Sequence, residues 1–312
     1  FRRKWLAMRQ VLIVHFSQTG QLDRLAQSVC APLQQHGDIQ LDFLQLQPAQ
    51  PYPFPWPFLD FFRIFPETVL MRPQPLLPLA VDASKRYDLV ILAYQVWFLS
   101  PSQPMTAFLA SPEAAQLLKG TPVVTLIGCR NMWLMAQEKL KARLTELGAR
   151  LVDNIALTDA CGTAASFLAT PLWLFTGRQK PYSWVPRAGI DEAQIAAASR
   201  FGVAMAQRLT ADNLPVEQPM LAGLGAVRID EKLIASEKVG NRSFQLWSRL
   251  LAALGPQQSR RRAAGLVVYI VFLLCLIVTV VPLSAVLKKL LAPLFKERTQ
   301  REKAYFAGPS GE

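Results

Sequence analysis

Val11-Leu12-Ile13-Val14-His15-Phe16-Ser17-Gln18-Thr19-Gly20-Gln21-Leu22 decides the fold. Its first four residues are apolar and rich in β-branched side chains, the pattern of a short strand buried on both faces. Ser17 to Gly20 form a tight turn. Leu22, Leu25, Ala26 and Val29 then recur at helical spacing. Strand, tight loop and helix thus follow one another within about twenty residues, the opening of a βα unit.

Outward from this unit the pattern repeats. Ile39 to Leu46 alternates as a second strand, and Tyr87 to Ala93 and Pro122 to Ile127 read as buried strands. Leu151 to Leu157 reads as a fifth. Helices are predicted at Phe108–Leu118, at Met135–Leu147 before Gly148, and at Ile190–Leu209. The order implies an α/β domain with a doubly wound parallel five-stranded sheet over 9–210, preceded by an extension at 1–8. Prolines at every second position exclude regular structure from much of 48–79, an aromatic insert with a short helix at 57–65. A partly helical connector is expected at 211–262, a transmembrane helix at 263–288 and a basic tail at 289–312.

Composition supports this division. The 312 residues are 51% hydrophobic, and the excess sits at 52–79 and 264–287. Ala264 to Leu287 is 24 residues without a charge, long enough to cross about 30 Å of hydrocarbon. The net charge is +12, and its densest cluster, Arg260 to Arg262, directly precedes that segment. This favours a membrane surface over nucleic acid. The four cysteines form no CxxC and there are two histidines, so neither a disulfide framework nor a metal site is expected. The leading FRRKWLA is no signal peptide, so the domain is expected in the cytoplasm, on a single-pass anchor in the inner membrane.

Ser17, Gln18, Thr19, Gly20, Gln21 and Leu22 offer a phosphate two hydroxyls, turn N–H groups and the positive end of a helix. A plain capped helix is the other reading of the loop alone. The absence of GxxxxGKS and of GxGxxG excludes an ATP-type loop and a dinucleotide fingerprint.

The loop resembles the Ser/Thr-x-Thr-Gly-x phosphate loop of flavodoxins, which implies that it holds the phosphate of FMN. In such folds the loops after the third and fourth strands cradle the flavin ring. Here they contain Gln95, Val96, Trp97 and Phe98, and Gly128, Cys129, Arg130, Asn131 and Trp133. The following Pro104-Met-Thr-Ala-Phe108-Leu109 is similar to a helix opening of flavin reductases in the superfamily. The resemblance implies stacking by Trp97, Phe98 or Trp133 and donation from Arg130 and Asn131; taken alone, Trp97 and Trp133 read equally well as core. With Arg130-Asn-Met-Trp133 and Phe65-Pro-Glu-Thr-Val-Leu70, the chain also resembles flavodoxin-like proteins labelled dialkylresorcinol-condensing enzymes. Quinone-dependent protoporphyrinogen oxidase is a more distant likeness.

These resemblances imply an FMN oxidoreductase acting on a quinone or an alkylated aromatic, with NAD(P)H as candidate electron donor. A tethered electron carrier serving a redox partner protein, and a flavin-free assembly partner, are the alternatives. No catalytic residue stands out. Asp153, Asp159 and Glu138 are candidate acids by default. Ala165 to Phe175 reads as core or as a greasy channel. Seven aromatics between Tyr52 and Phe65 are expected to stay partly unburied, and could roof the ring and open toward the bilayer or merely pack on the C-terminal helix region.

Overall fold

The computed structural model describes residues 8–211, 216 and 218–312, without the side chains of 163, 164, 281, 282 and 284–294. Five parallel strands, β1 (Arg9–His15), β2 (Ile39–Gln45), β3 (Leu89–Trp97), β5 (Pro122–Cys129) and β6 (Arg150–Thr158), form a sheet in the order β2-β1-β3-β5-β6. A sixth, two-residue strand, β4 (Ser100–Pro101), pairs antiparallel with the end of β3 and was not expected. Along β1, Val11 and Ile13 face one core while Leu12 and Val14 face the other. The unbroken apolar run is therefore a strand buried twice. One core is closed by α1 (Gln21–Gln35), α8 (Glu192–Ala197) and α9 (Ser199–Thr210). The other is closed by α4 (Gln103–Leu109), α5 (Pro112–Leu118) and α6 (Leu134–Glu146).

The expected helix at Phe108–Leu118 is two helices. Ser111 precedes Pro112, which disfavours helical dihedrals at the serine. Ser111 is extended (ψ 154°), and its hydroxyl caps α5 by accepting from Ala114 N. Ile190–Leu209 divides into α8 and α9 at Ala198. A Cβ on Gly202 of α9 would meet Val29 O at 1.9 Å, so glycine is what lets α9 approach α1.

The insert is closed by a bridge between Pro48 and Leu76, and holds α2 (Phe58–Arg63) and α3 (Phe65–Val69). Its rings stay partly unburied, and neighbouring elements supply partners for the rest. Phe65 is fully buried, stacked on Tyr269 at 4.4 Å, and Trp56 packs on Tyr52, Trp97 and Phe61. Phe58 remains 45% exposed.

Within the expected connector lies α10 (Glu231–Ala253), and α11 (Arg260–Ala307) contains the apolar segment in one helix of 48 residues. Arg260–Val280 is long and apolar enough to cross a membrane, and 17% of its apolar window is buried. At the base, Arg262 donates to both carboxylate oxygens of Glu67 and to Arg63 O. At the other end the chain returns to the domain. Tyr305 donates to Glu138 at 2.7 Å, and Phe306 is buried. Ser310, 1% exposed, donates to Asp153 Oδ1 at 2.8 Å and accepts from Asn154 N at 2.7 Å. The end of the basic tail is thus part of the domain's packing.

Burial raises the Asp153 carboxyl above its usual range, against hydrogen bonds from Met220 N, Ser310 and Leu221 N. Removing the hydroxyl in Ser310→Ala takes the acceptor from the buried Asn154 N–H and one of three hydrogen bonds from Asp153, at a cost of about 1–3 kcal/mol. The thermal midpoint of the detergent-purified protein, followed by tryptophan fluorescence, is expected to fall by several degrees. An unchanged midpoint would show that the docked tail contributes nothing.

Candidate functional site

Because the sheet is parallel, the loops after β1, β3 and β5 leave its same edge; His15 pairs with Ala93, Ala93 with Leu126 and Gln95 with Gly128. The order of the parallel strands reverses between β1 and β3, the switch point at which doubly wound sheets bind ligands.

At the end of β1, Gly20 (φ 75°, ψ −8°) starts α1 with no side-chain cap. Ser17 Oγ is buried there without a hydrogen-bond partner. An open cleft of about 290 Å³ is lined by Thr19, Gln21, Arg24, Phe54, Trp173 and Gln179, among others. Open space surrounds Gly20 where a Cβ would stand. Two side chains of the predicted loop are committed elsewhere. Gln21 binds Ile190 through both amide atoms, and Leu22 is core. Both retain their backbone N–H groups at the helix start. Gln18 ties the loop to the insert by donating to Pro53 O at 2.9 Å. Arg24, Trp173 and Gln179 were missed by sequence reading; only Arg24, one turn into α1, had a local signal.

After β3 the chain reverses through Phe98 (φ 49°) and Leu99 (φ 57°) into β4. Two adjacent non-glycine residues in the left-handed region cost about 1–2 kcal/mol each, and packing holds them there. Phe98 meets Phe61 at 4.6 Å and Phe65 at 5.1 Å, and Leu99 is buried. Trp97 is enclosed by Phe16, Tyr52 and Trp56. Val96 pairs with Pro101. In this neighbourhood Gln95 Oε1, Ser102 Oγ and Trp56 Nε1 are buried without a partner. Tyr52 donates to Gln103 Oε1 at 2.5 Å.

After β5 the picture differs from the expectation. Trp133 is 2% exposed, inside the core beside α6, so it cannot stack on a ligand. A Cβ on Gly128 would meet Leu22 Cδ1 at 3.2 Å, which places this residue beneath α1. Burial pushes the Cys129 thiol up. The Arg130 guanidinium lies 4.1 Å from the Phe167 ring centre, and Asn131 occupies the same loop. Asp159 N donates to Cys129 O and Arg130 O, and its carboxylate accepts from Thr170 on α7 (Thr163–Thr176) and from Cys161 N. The Ala165–Phe175 segment is this helix, intermediate in burial along much of its length. Of the default acids only Asp159 is near the loops; Asp153 holds the tail and Glu138 pairs with Lys141 and Tyr305. Among the described residues no metal-binding cluster is found.

Two buried groups escaped the sequence reading. Lys139, lowered to about 8 by burial, joins β4 to the insert by donating to Ser100 Oγ and Val69 O. Glu237 accepts from Met135 N at 2.7 Å at the start of α6.

No protein-family model and no curated protein matches the chain. Solved structures similar to it include a flavoprotein in complex with FMN from Lactobacillus acidophilus (12% identity, 48% of this chain and 93% of that one, TM-score 0.37). A flavodoxin from the domain Archaea shares 9% identity over 65% and 99% (TM-score 0.34), and Megasphaera elsdenii flavodoxin 18% over 47% and 84% (TM-score 0.29). The narrower likeness to dialkylresorcinol-condensing enzymes finds no support in them. The flavodoxin-type fold rests on the chain's own strand order.

Burial raises Glu237 to about 8 from an ordinary value of 4.5, against the backbone donors at Met135 and Leu134. Between those values the folded protein holds a proton that the unfolded chain has released, so stability falls as pH rises from about 5 to about 8. Thermal midpoints measured across this range should decline, and Glu237→Gln should flatten the decline. A Glu237→Gln profile as steep as the parent's would refute the assignment.

Proposed function

We propose that the chain is a membrane-associated FMN-dependent oxidoreductase acting on a hydrophobic substrate, a quinone or an alkylated aromatic. The observation that carries this reading is the buried, unpartnered Ser17 hydroxyl beside the uncapped start of α1, at the strand-order switch. A phosphate would complete that hydroxyl, with Thr19 and the N–H groups of the first turn. The orphaned atoms at the neighbouring loop suit a flavin's polar edge: Gln95 Oε1 accepts, while Ser102 and Trp56 donate. Phe98 and Arg130 complete the proposed ring side, with Asn131 in the same loop, while Trp97 is buried behind them among Phe16, Tyr52 and Trp56. When bound, the flavin supplies one- and two-electron transfer.

The protein's own contribution is position and the exclusion of water. The insert covers Trp97 with Tyr52 and Trp56, and its outer face at Phe58 is exposed. The same insert packs on the base of α11 through Phe65 and Glu67. A lipid-soluble substrate would therefore approach from the bilayer along aromatic side chains. The proposed location is the cytoplasmic face of the inner membrane, with NAD(P)H or a redox partner protein supplying electrons.

Detergent-purified protein should show a flavin absorption spectrum and release FMN on denaturation. Ser17→Ala should weaken FMN binding about 10- to 100-fold, the loss of one hydrogen bond to a charged group. Colourless protein would favour the flavin-free assembly role, and unchanged affinity would remove the loop assignment.

A second test separates enzyme from carrier. Changing Phe58 and Phe62 together to Ser should lower turnover of a long-chain quinone several-fold while sparing a water-soluble dye. Equal effects on both acceptors would refute the aromatic approach and favour the carrier.

A further inference from the structure

We infer that α11 enters the bilayer and returns on the same side, a re-entrant anchor in one leaflet and not a single-pass span. The inference rests on the proposed membrane association and fixes its topology. Near its start α11 packs on the C-terminal part of α10: Trp247 meets Tyr269 at 5.4 Å and Phe272 at 5.1 Å. Near its end it packs on the N-terminal part of the same helix: Lys238 pairs with Glu302 at 2.9 Å and lies over Phe306, and Lys303 pairs with Glu231. Lys238 and Trp247 are separated on α10 by about 14 Å of helix rise. Tyr269 and Glu302 would be separated by about 50 Å on a straight α11. Extended side chains at both contacts do not close that difference, so α11 leaves the domain and bends back. Pro282 and Pro293 lie within the excursion, and proline is the usual cause of a sharp kink.

The excursion has the chemistry of a lipid-embedded segment. Val268, Val271, Leu274, Val278 and Leu283 are more than half exposed. No charge interrupts Ala264 to Leu287, and Lys296, Glu297 and Arg298 mark the return to water. Leu273 to Phe295, folded into two arms of about eleven residues, reaches about 17 Å, roughly half of a 30 Å hydrocarbon core. Lys288 and Lys289 then lie on the returning arm, about 10–12 Å of helix rise from Lys296. A single crossing would carry 289–312 to the far side. That would empty the buried sites of Phe306 and Ser310 and strip Asp153 of a hydrogen bond.

Topology can be read with single cysteines at two exposed flanking positions, Gln258→Cys and Glu297→Cys. Both are placed on a background carrying Cys161→Ser and Cys275→Ala; Cys30 and Cys129 remain within the fold. Sealed inverted vesicles and intact spheroplasts are treated with an impermeant maleimide of high mass. Both positions should shift in mass from the cytoplasmic side and neither from the other. A bismaleimide should also join Glu138→Cys to Tyr305→Cys in intact membranes. Labelling of the two flanks from opposite sides, or no cross-link while the protein stays in carbonate-washed membranes, overturns the re-entrant path and leaves membrane association standing. Recovery of the parent protein in the soluble fraction overturns both.

Discussion

Everything in this structure depends on β1 being buried on both faces. A strand whose successive side chains face two cores must be covered twice, and short crossover helices achieve this only with parallel neighbours. Once the strands are parallel, every loop that follows a strand leaves the same edge. The three segments carrying the proposed flavin chemistry are far apart in sequence, at 17–22, 95–98 and 128–133. They share an edge because Val11 and Ile13 face α1 while Leu12 and Val14 face α6.

The second constraint is the ion pair of Arg262 with Glu67. Both side chains are nearly buried, and taking two charges out of water offsets much of their attraction, so the pair contributes little net stability. Its geometry is more telling. The guanidinium takes both carboxylate oxygens and also donates to Arg63 O, which fixes the base of α11 against α2 and α3. A hydrophobic contact would let α11 slide over the insert; a forked pair does not. Residues that looked separate in sequence, the arginine cluster before the apolar helix and the Phe65–Leu70 segment, thus form one joint.

The sheet was legible because its signals are local. Each buried strand announces itself within five or six residues, and Gly20 marks the turn that needs a left-handed backbone. Sequence reading went wrong where long-range packing decides. Trp133 looked like a stacking residue, yet its neighbours in space are core residues of β1, β3 and α6. Gln21 was read within the phosphate loop; its side-chain amide is taken by Ile190, 169 residues away, which leaves its backbone N–H for that role. The rings of the aromatic insert stay partly unburied, as expected, and α11, α7 and the β3–β4 turn supply the partners that proline spacing cannot specify. The returning tail was the least visible. Ser310 is one serine in a polar terminus, and only the fold shows that it sits against Asp153.

The strained reversal at Phe98 and Leu99 connects these parts. Two left-handed residues persist only where surrounding packing overdetermines them, and here the packing comes from the insert. Phe61 and Phe65 press on Phe98, and Lys139 holds Ser100 of the same turn to Val69 of α3. Phe65 in turn stacks on Tyr269 in the base of α11. The loop proposed to face the flavin is therefore braced by side chains that are themselves braced by α11. The contacts run without a gap from α11 to the end of β3. A shift of α11 against the insert would loosen Phe98 before it disturbed the sheet, because the strands are held by their own two cores and the turn is not.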